Sequence, residues 1–457
     1  MVESVPRRRR AALFAAVTLA LVGLGASPAP VAGFTPVIVI EEFPGSAAAA
    51  VARFGGTPGA QLPLVEGLAA SVPTGSLGAL ASAAGVAGLL PDANVRLNLL
   101  DLGGGGGGST SSGPVFAATV DAPKAWSAGY RGKVGVNVAI LDSGIAPVKD
   151  LTSPSNRIVG WKDFVGGSSV PVDPHGHGTY IAGVVAGNGS LSNGKWVGIA
   201  PAAGVVGIRV FDALGLATAS RVIQGIQWAI DNKKSLGIRV LNMSFSTNAD
   251  LSYRFDAVAY AAEQAWKAGI VVVASAGNLG PLPATVLSPG IDPFLVTAGA
   301  TDDRGTVSRS DDRIADFSGR GPTLDLVSKP ELVAPGVWVT GLKMPGSTVA
   351  LENPLSTVDQ YYFEGSGTSP ATAVVSGVVA LALQKRPKLV PDQVKFVLVK
   401  SGTKAPGSLL SLSSDPIYVN AYNAVMSKLN DRANKGLTAA TGGGLLSLVG
   451  IPDVKWR

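Results

Sequence analysis

The chain of 457 residues is long enough for more than one folding unit, and with 46% hydrophobic and 15% charged residues it is too apolar for a disordered protein. It contains no cysteine, which excludes disulfides, thiolate metal sites and cysteine nucleophiles. The net charge of +6 divides into +3 over residues 1–32, −3 over residues 33–112 and +6 over the remainder. Because the one dense basic cluster is Arg7–Arg10, we expect no nucleic-acid partner.

The N-terminus has the three parts of an export signal in their usual order. Arg7–Arg10 is followed by the apolar run Ala11–Gly25 and then by the small residues and prolines of Ala26–Ala32. This order predicts a secretory signal peptide over residues 1–32 and a secreted, extracellular protein. The apolar run is shorter than the roughly 20 residues of a spanning helix. We therefore favour an export signal over a membrane anchor and expect no stable membrane span. The arginines leave both the general and the twin-arginine export routes open.

The next segment predicts a small module separated from the rest of the chain. Residues 33–102 begin with the alternating run Thr35–Ile40 and end on Asn94–Leu99, with Ala/Gly-rich stretches between them, which is typical of a small α+β unit. Residues 103–114 are a Gly/Ser-rich run with nothing to bury. We therefore place a flexible linker and a domain boundary there.

From residue 115 the pattern changes to short apolar runs that alternate with helical stretches. The predicted strands are residues 134–141, 205–210, 238–243, 270–274 and 294–298, and the predicted helices are residues 218–234 and 253–267. Thr218 or Ser220 is the expected N-cap of the first helix. The alternation predicts an α/β domain over residues 115–430, with a mainly parallel sheet and helices on both faces. Ligands and catalytic groups of such sheets gather at the carboxyl ends of the strands.

The first candidate functional side chains along this domain are those of Asp142 and two histidines. Asp142 follows the first apolar run and begins an Asp-Ser-Gly sequence, in which a turn is a commoner role than catalysis. The chain's two histidines are His175 and His177, and with a distant carboxylate the pair could bind a metal. The small apolar run at 179–186 predicts a tightly packed helix with His177 at its start, which favours an orienting role for a single imidazole.

Two more candidates follow. Ser369 precedes Pro370 and an apolar helical run, which predicts Ser369 as N-cap with Pro370 at the first helical position. The unpaired N–H groups and the dipole of a helix start also suit an oxygen nucleophile and its oxyanion. Asn278 follows the strand at 270–274. It is either a turn residue or a side-chain donor to a developing negative charge.

The four residues occur in the order Asp, His, Asn, Ser, at strand ends and helix starts. Together with the sequences around them, they make the chain resemble the subtilisin-like serine peptidases (subtilases), over about residues 120–405. The matching stretches are Val138–Ile145, Gly176–Thr179, Val197–Pro201, Leu241–Ser244, Ala276–Asn278, Phe317–Pro322, Val333–Gly336 and Gly367–Ser369.

The resemblance implies a role for each residue. Ser369 would be the nucleophile, His177 the general base and Asp142 the carboxylate that orients it. The side-chain amide of Asn278 and the backbone N–H of Ser369 would form the oxyanion hole. Substrate would bind along three segments: Gly215, Leu216 and Ala217; Ser244, Phe245 and Ser246; and Ala274, Ser275, Ala276 and Gly277.

The reaction implied is hydrolysis of peptide bonds in extended polypeptides through an acyl-enzyme, by a monomer that requires no cofactor. The alternative is a catalytically silent, subtilase-like binding protein, although binding alone has no need of all four residues. The resemblance also makes residues 33–102 a propeptide that assists folding and occupies the site in cis. We expect self-cleavage between Leu97 and Thr119, and the opposite charges of the module and the body fit their contact.

The chain departs from the family pattern at several positions. Tyr180 and Val374 stand where histidines are common, and Pro370 and Ala373 are unusual after the serine, so we expect shifted packing rather than lost activity. Ser246-Thr247 replaces two glycines at the primary specificity pocket. We therefore expect a preference for small or medium side chains before the scissile bond.

Calcium and the C-terminus are left open by the sequence. Members of the family often bind a structural Ca²⁺, but the loop at 187–195 contains no carboxylate and offers weak support for one. The tail at 431–457 falls outside the resemblance. It is a mobile extension, a docked strand or a surface anchor.

Overall fold

The computed structural model describes residues 33–97, 115–249, 251–405 and 415–440. The predicted signal peptide, the linker, residues 98–102 and the end of the tail from residue 441 lie outside the described residues.

Residues 33–97 form a small α+β module. Its antiparallel sheet has the order β2-β3-β1-β4, and the module has a small hydrophobic core of its own in which Val39, Val51 and Leu68 are fully buried. Its elements are β1 (Phe34–Glu41), α1 (Ala47–Arg53), β2 (Thr57–Leu62), a 3₁₀ turn (Pro63–Val65), β3 (Gly67–Pro73), a 3₁₀ turn (Thr74–Ser76), α2 (Leu77–Ala81), β4 (Val86–Pro91) and β5 (Asn94–Leu97).

The body begins at residue 115 and alternates strands with helices. Its first half contains α3 (Val115–Thr119), α4 (Ala122–Ser127), β6 (Asn137–Asp142), α5 (Lys149–Thr152), β7 (Ile158–Asp163), α6 (His177–Ala186), β8 (Val205–Arg209), β9 (Leu216–Thr218), α7 (Ala219–Asp231), β10 (Ile238–Met243), β11 (Phe245–Ser246), a 3₁₀ turn (Tyr253–Phe255) and α8 (Ala257–Lys267). Its second half contains β12 (Val271–Ser275), β13 (Val296–Asp302), β14 (Arg313–Ile314), β15 (Leu332–Pro335), β16 (Val339–Leu342), α9 (Thr348–Glu352), a 3₁₀ turn (Pro354–Ser356), β17 (Tyr362–Gly365), α10 (Thr368–Lys385), α11 (Pro391–Ser401), β18 (Thr403–Lys404), β19 (Ile417–Tyr418) and α12 (Ala421–Met426).

The main sheet confirms the predicted α/β fold. Its strand order is β7-β8-β6-β10-β12-β13-β15-β19-β18, with β14 added to β13, and its pairs are parallel except those made by β14 and β18. Every residue of β6, β8 and β12 is buried, which explains why these strands are nearly continuous apolar runs. Helix α10 packs against α6, and α7 packs against α8.

Two helix starts are refined by the structure. Thr218 rather than Ser220 is the N-cap of α7, because its Oγ1 accepts a hydrogen bond from the Arg221 N–H at 3.3 Å. Helix α8 begins at Ala257, later than predicted. Its N-cap is Asp256, whose Oδ1 accepts from the Ala259 N–H at 2.7 Å, so the preceding three residues form a separate 3₁₀ turn.

The first residues of the tail lie on the body. The Tyr253 hydroxyl donates to the Thr438 carbonyl at 2.7 Å, and the Ala440 N–H donates to the buried Glu263 carboxylate at 2.8 Å. In the described parts of the chain, no helix is long and apolar enough to cross a membrane.

Candidate active site

Asp142 and His177 form a buried pair at the carboxyl end of the main sheet. Asp142 is the last residue of β6 and His177 the first residue of α6, so the strand end and the helix start bring the two side chains together. His177 Nδ1 lies 2.8 Å from Asp142 Oδ1 and 2.9 Å from Oδ2, and both residues are fully buried. Within the described residues His177 Nε2 has no hydrogen-bond partner. This nitrogen is therefore available to act as a base.

Asp173, which the sequence did not single out, holds the loop before His177. Its Oδ1 accepts hydrogen bonds from Ser143 Oγ and the Gly176 N–H, both at 2.8 Å. Its Oδ2 accepts from the Thr179 N–H at 2.7 Å and from Thr179 Oγ1 at 2.6 Å. A carboxylate here satisfies N–H groups at the start of α6 and also faces the positive end of its dipole. The only sequence signal for this role is an acidic residue shortly before a helix start.

Ser369 lies in the first turn of α10, but it is not the N-cap that the sequence predicts. The N-cap is Gly367, and Pro370 is the third helical residue rather than the first. Gly367 has a φ of 147°, a conformation that favours glycine and sets the entry of the chain into the helix. Pro370 is tolerated because N–H groups of the first turn have no acceptor within a helix. The Ser369 hydroxyl donates to the Ser244 carbonyl at 3.0 Å.

Asn278 is oriented by the residue that precedes Ser369. Its Oδ1 accepts hydrogen bonds from both the N–H and the hydroxyl of Thr368, each at 2.9 Å. Since Thr368 is fully buried at the start of α10, the Asn278 carbonyl oxygen faces the helix and its NH₂ group is turned the opposite way. Thr368 is a second positioning residue that sequence reasoning missed, although its place next to Ser369 was a signal.

Two of the three predicted substrate segments flank the last strand of the module. β5 lies between β9 and β11 in a three-stranded antiparallel sheet, in which Arg96 pairs with Leu216 and Leu97 pairs with Phe245. The Leu97 N–H also donates to the Gly215 carbonyl, at 3.3 Å. The cleft therefore accepts an extended strand between these two edges, as the mode of strand addition requires.

The third segment, Ala274 to Gly277, continues β12 and is buried beside β11. The Ser275 hydroxyl donates to the Phe245 carbonyl at 2.9 Å. A cavity of about 800 Å³ opens next to β5, and its lining includes Ser246, Thr247, Asn278 and Leu287.

Asp92 anchors the module on the body near this cleft. Its carboxylate accepts hydrogen bonds from the Ser220 N–H at 2.8 Å and the Ser220 hydroxyl at 2.7 Å, in the first turn of α7. The Ala219 N–H donates to the Ala93 carbonyl at 2.9 Å. Burial raises the pKa of Asp92, and the hydrogen bonds from Ser220 offset part of that rise.

The histidine pair is not arranged as a metal site. His177 uses Nδ1 for Asp142, and among the described residues no group of three or more His, Asp or Glu side chains could hold a metal ion. His175 is itself buried. This burial, together with the neighbouring imidazole of His177, lowers the pKa of His175 to about 3, so the His175 imidazole is neutral at physiological pH.

Tyr180, at a position where the sequence predicts shifted packing, lies in a buried space beside β16. The side chain is fully buried, and its hydroxyl donates to the Val339 carbonyl at 2.9 Å. A Cβ atom added at Gly341 would lie 2.3 Å from the ring, so glycine makes room for the larger side chain.

The loop at 187–195 is held by hydrogen bonds to Asp150 on α5. The Asp150 carboxylate accepts from the Leu191 N–H (2.7 Å), the Gly189 N–H (3.1 Å) and the Tyr362 hydroxyl (2.6 Å). The Arg157 guanidinium donates to three main-chain carbonyl groups, those of Asp150, Ala186 and Ala203. Calcium needs several oxygen atoms directed at one point, whereas here N–H and O–H donors face the carboxylate. These residues do not fit a calcium site.

Comparison with known proteins agrees with this geometry. The model of the subtilase family matches residues 133–440, about two thirds of the chain. The chain belongs to the subtilase family. The matched range includes the first residues of the tail, which lie on the body.

Individual subtilases cover different shares of the chain. Serine protease AprX of Bacillus subtilis is 42% identical over 275 residues, 59% of this chain and 61% of that relative, so the chain spans about three fifths of its length. Subtilisin DY of Bacillus licheniformis is 34% identical over 287 residues, 62% of this chain and 89% of the relative. Fervidolysin from Fervidobacterium pennivorans, a keratinolytic enzyme related to subtilisin, has a similar fold, with a TM-score of 0.65, 23% identity and coverage of 87% of this chain and 61% of that one.

Proposed function

We propose that the protein is a secreted serine endopeptidase that hydrolyses peptide bonds in extended polypeptides through an acyl-enzyme on Ser369. The observation that carries the proposal is the buried hydrogen bond between His177 Nδ1 and the Asp142 carboxylate, at 2.8 Å. It leaves Nε2 as the basic nitrogen at the carboxyl end of the main sheet. At the same end the Ser369 hydroxyl donates to the Ser244 carbonyl, directly after β10, and Asn278 follows β12. Membership of the subtilase family supports the same reaction.

In this mechanism the Asp142 carboxylate accepts a hydrogen bond from the Nδ1–H of His177 and stabilises the imidazolium that forms during the reaction. The Ser369 hydroxyl exchanges its acceptor, the Ser244 carbonyl, for His177 Nε2, transfers its proton there and attacks the substrate carbonyl carbon. The oxyanion accepts hydrogen bonds from the Asn278 NH₂ group and the Ser369 N–H. His177 then protonates the leaving amine, and water hydrolyses the ester by the same steps.

We propose that residues 33–102 are the propeptide of this enzyme. Its strand β5 lies between the two edges at which a substrate strand would pair, and the Asp92 carboxylate accepts from Ser220 at the start of α7. Val95 of the same strand is fully buried within the hydrophobic core of the body. These contacts support inhibition in cis, with self-cleavage between Leu97 and Thr119.

Five further properties belong to the proposal. Residues 1–32 are a signal peptide, and the mature enzyme is a monomer. It needs no cofactor, and the loop at 187–195 needs no calcium because the Asp150 carboxylate already accepts three hydrogen bonds. Ser246 and Thr247, which line the cavity beside β5, favour small or medium side chains before the scissile bond. Peptide-library cleavage dominated by Phe and Tyr at that position would contradict the last point.

The proposal is tested with a fluorophosphonate probe on purified protein, comparing the wild type with Ser369→Ala. The labelled peptide should contain Ser369, and labelling should be absent in the variant and unaffected by a chelator. Ser376→Ala is a matched control, since Ser376 lies on the same helix and its hydroxyl donates to Asn242 Oδ1 at 2.9 Å. This control should label normally.

The same two proteins test processing and the alternative function. Ser369→Ala should remain unprocessed when no protease is added, and processing as complete as in the wild type would exclude self-cleavage. A folded, propeptide-free wild type that does not label would favour the catalytically silent binding protein. Labelling that is lost on chelation would instead support a metal-dependent site at the histidine pair.

A further inference from the structure

Residues 343–361, called the strap below, connect β16 to β17 and lie across the loop that carries His177. The two strands pair antiparallel from Val339–Gly365 to Leu342–Tyr362. The Lys343 N–H donates to the Tyr361 carbonyl at 2.7 Å and closes the base of the strap. The strap contains α9 and a 3₁₀ turn, and no motif in the sequence assigns it a role.

The strap contacts three consecutive residues that precede His177. The N–H groups of Thr348 and Val349 donate to the carbonyls of Pro174, at 3.1 Å, and His175, at 2.9 Å. At the next residue, a Cβ atom added to Gly176 would lie 2.3 Å from Ser347 Oγ. Ser347 and Val349 are buried against this loop. The strap therefore fixes the approach of the chain to the catalytic histidine.

Thr348 also reaches the opposite wall of the cleft. Its hydroxyl donates to the Ala213 carbonyl at 2.7 Å. Ala213 belongs to the turn that leads into β9, which the buried carboxylate of Asp212 organises by accepting from the Leu214 and Leu216 N–H groups at 2.9 and 3.0 Å. This turn contacts the histidine loop, because a Cβ atom at Gly215 would lie 2.8 Å from His175 Nε2. Thr348 is therefore hydrogen-bonded to both the histidine loop and the base of the edge strand.

We infer that Thr348 is a positioning residue that sets edge strand β9 relative to His177 and so determines how efficiently extended substrates are cleaved. The inference rests on the proposed function. A substrate long enough to pair with Leu216–Thr218, as β5 does, is bound along this edge strand. Its scissile bond is placed correctly at His177 only if the edge strand is held at the correct distance from that residue. A substrate that ends before this edge strand makes no pairing with it, so its position does not depend on the edge strand. The Thr348 hydroxyl should therefore affect the cleavage of long substrates and leave the cleavage of short ones unchanged.

The experiment compares propeptide-free wild type, Thr348→Val and Thr348→Ser on a tetrapeptide anilide and on the ester of a single acetylated amino acid. Valine keeps the shape of threonine but cannot donate to Ala213, whereas serine keeps the hydroxyl. We expect kcat/KM of Thr348→Val to fall by about three- to tenfold for the tetrapeptide, chiefly through KM, and to stay within about twofold for the ester. Thr348→Ser should resemble the wild type on both.

Thr357→Val is the control for loss of a strap hydroxyl as such. Thr357 is an exposed residue of the strap whose hydroxyl is bonded to Lys343 Nζ at 3.2 Å, and its loss should leave both substrates unaffected. Equal losses on the two substrates, no loss in Thr348→Val, or a Thr348→Ser enzyme as impaired as Thr348→Val with an unchanged melting temperature would each overturn the inference. Wild type that cleaves no peptide would overturn the proposed function first, and this inference with it.

Discussion

Replacing Asp173 by asparagine should destabilise the protein through the loop that holds His177. The carboxylate accepts four hydrogen bonds, two on each oxygen. An asparagine side chain has one acceptor oxygen, so its NH₂ group must face one of the two pairs of donors. Each pair includes a main-chain N–H, that of Gly176 on one side and that of Thr179 on the other. Either orientation therefore leaves at least one buried N–H without an acceptor.

The size of the effect follows from these contacts. A buried donor left without an acceptor costs about 1–3 kcal/mol, and loss of the charge at the start of α6 adds about 0.3–1 kcal/mol. Asp173 is only 3% exposed, so water cannot replace the lost contact. We expect the free energy of unfolding to fall by about 1–4 kcal/mol. The activity should fall as well, because the same loop positions His177.

The measurement is chemical denaturation of Asp173→Asn in a Ser369→Ala background, which lacks the proposed nucleophile and should therefore not digest itself. Asp231→Asn is the matched control, because Asp231 is a carboxylate on the outer face of α7 whose Oδ1 accepts from Gln227 Nε2 at 2.8 Å in an exposed pair. It should change stability by less than about 0.5 kcal/mol. If Asp173→Asn were no less stable than this control, the assignment of Asp173 as the residue that holds the loop would be wrong.

Two further predictions concern pH and calcium. The pKa of His175 is about 3 in the folded protein and about 6.5 in the unfolded chain. Between these pH values the folded state binds fewer protons than the unfolded state. His175 therefore lowers the free energy of unfolding by about 1.4 kcal/mol for each unit by which the pH falls through this window. His175→Gln should flatten that dependence in denaturation between pH 4 and 7, and an unchanged slope would refute the cause. Tyr362→Phe removes the 2.6 Å hydrogen bond to the buried Asp150 carboxylate and should cost about 1–3 kcal/mol, while a chelator leaves the wild-type melting temperature unchanged. A wild type that melts several degrees lower in chelator would show that calcium binds after all.

The amino-acid sequence by itself predicted the main elements of the body and the candidate residues of the site. Strands buried on both faces are continuous apolar runs, so β8 and β10 were predicted to within a residue. The end of a strand and the start of a helix are also local signals. They were enough to single out Asp142, His177, Asn278 and Ser369, and the order of these residues along the chain was enough to indicate the subtilase family.

Only the tertiary structure decided which residues hold that site in place. Thr348 and Ala213 are separated by 135 positions, and Tyr362 and Asp150 by 212, so no local pattern could pair them. Ser369 was wrongly predicted as an N-cap because Ser-Pro is a common helix start, whereas the conformation of Gly367 begins the helix earlier. Hydrophobic periodicity and capping act between neighbours in sequence. The hydrogen bonds that orient a catalytic loop depend on which segments the completed fold brings into contact.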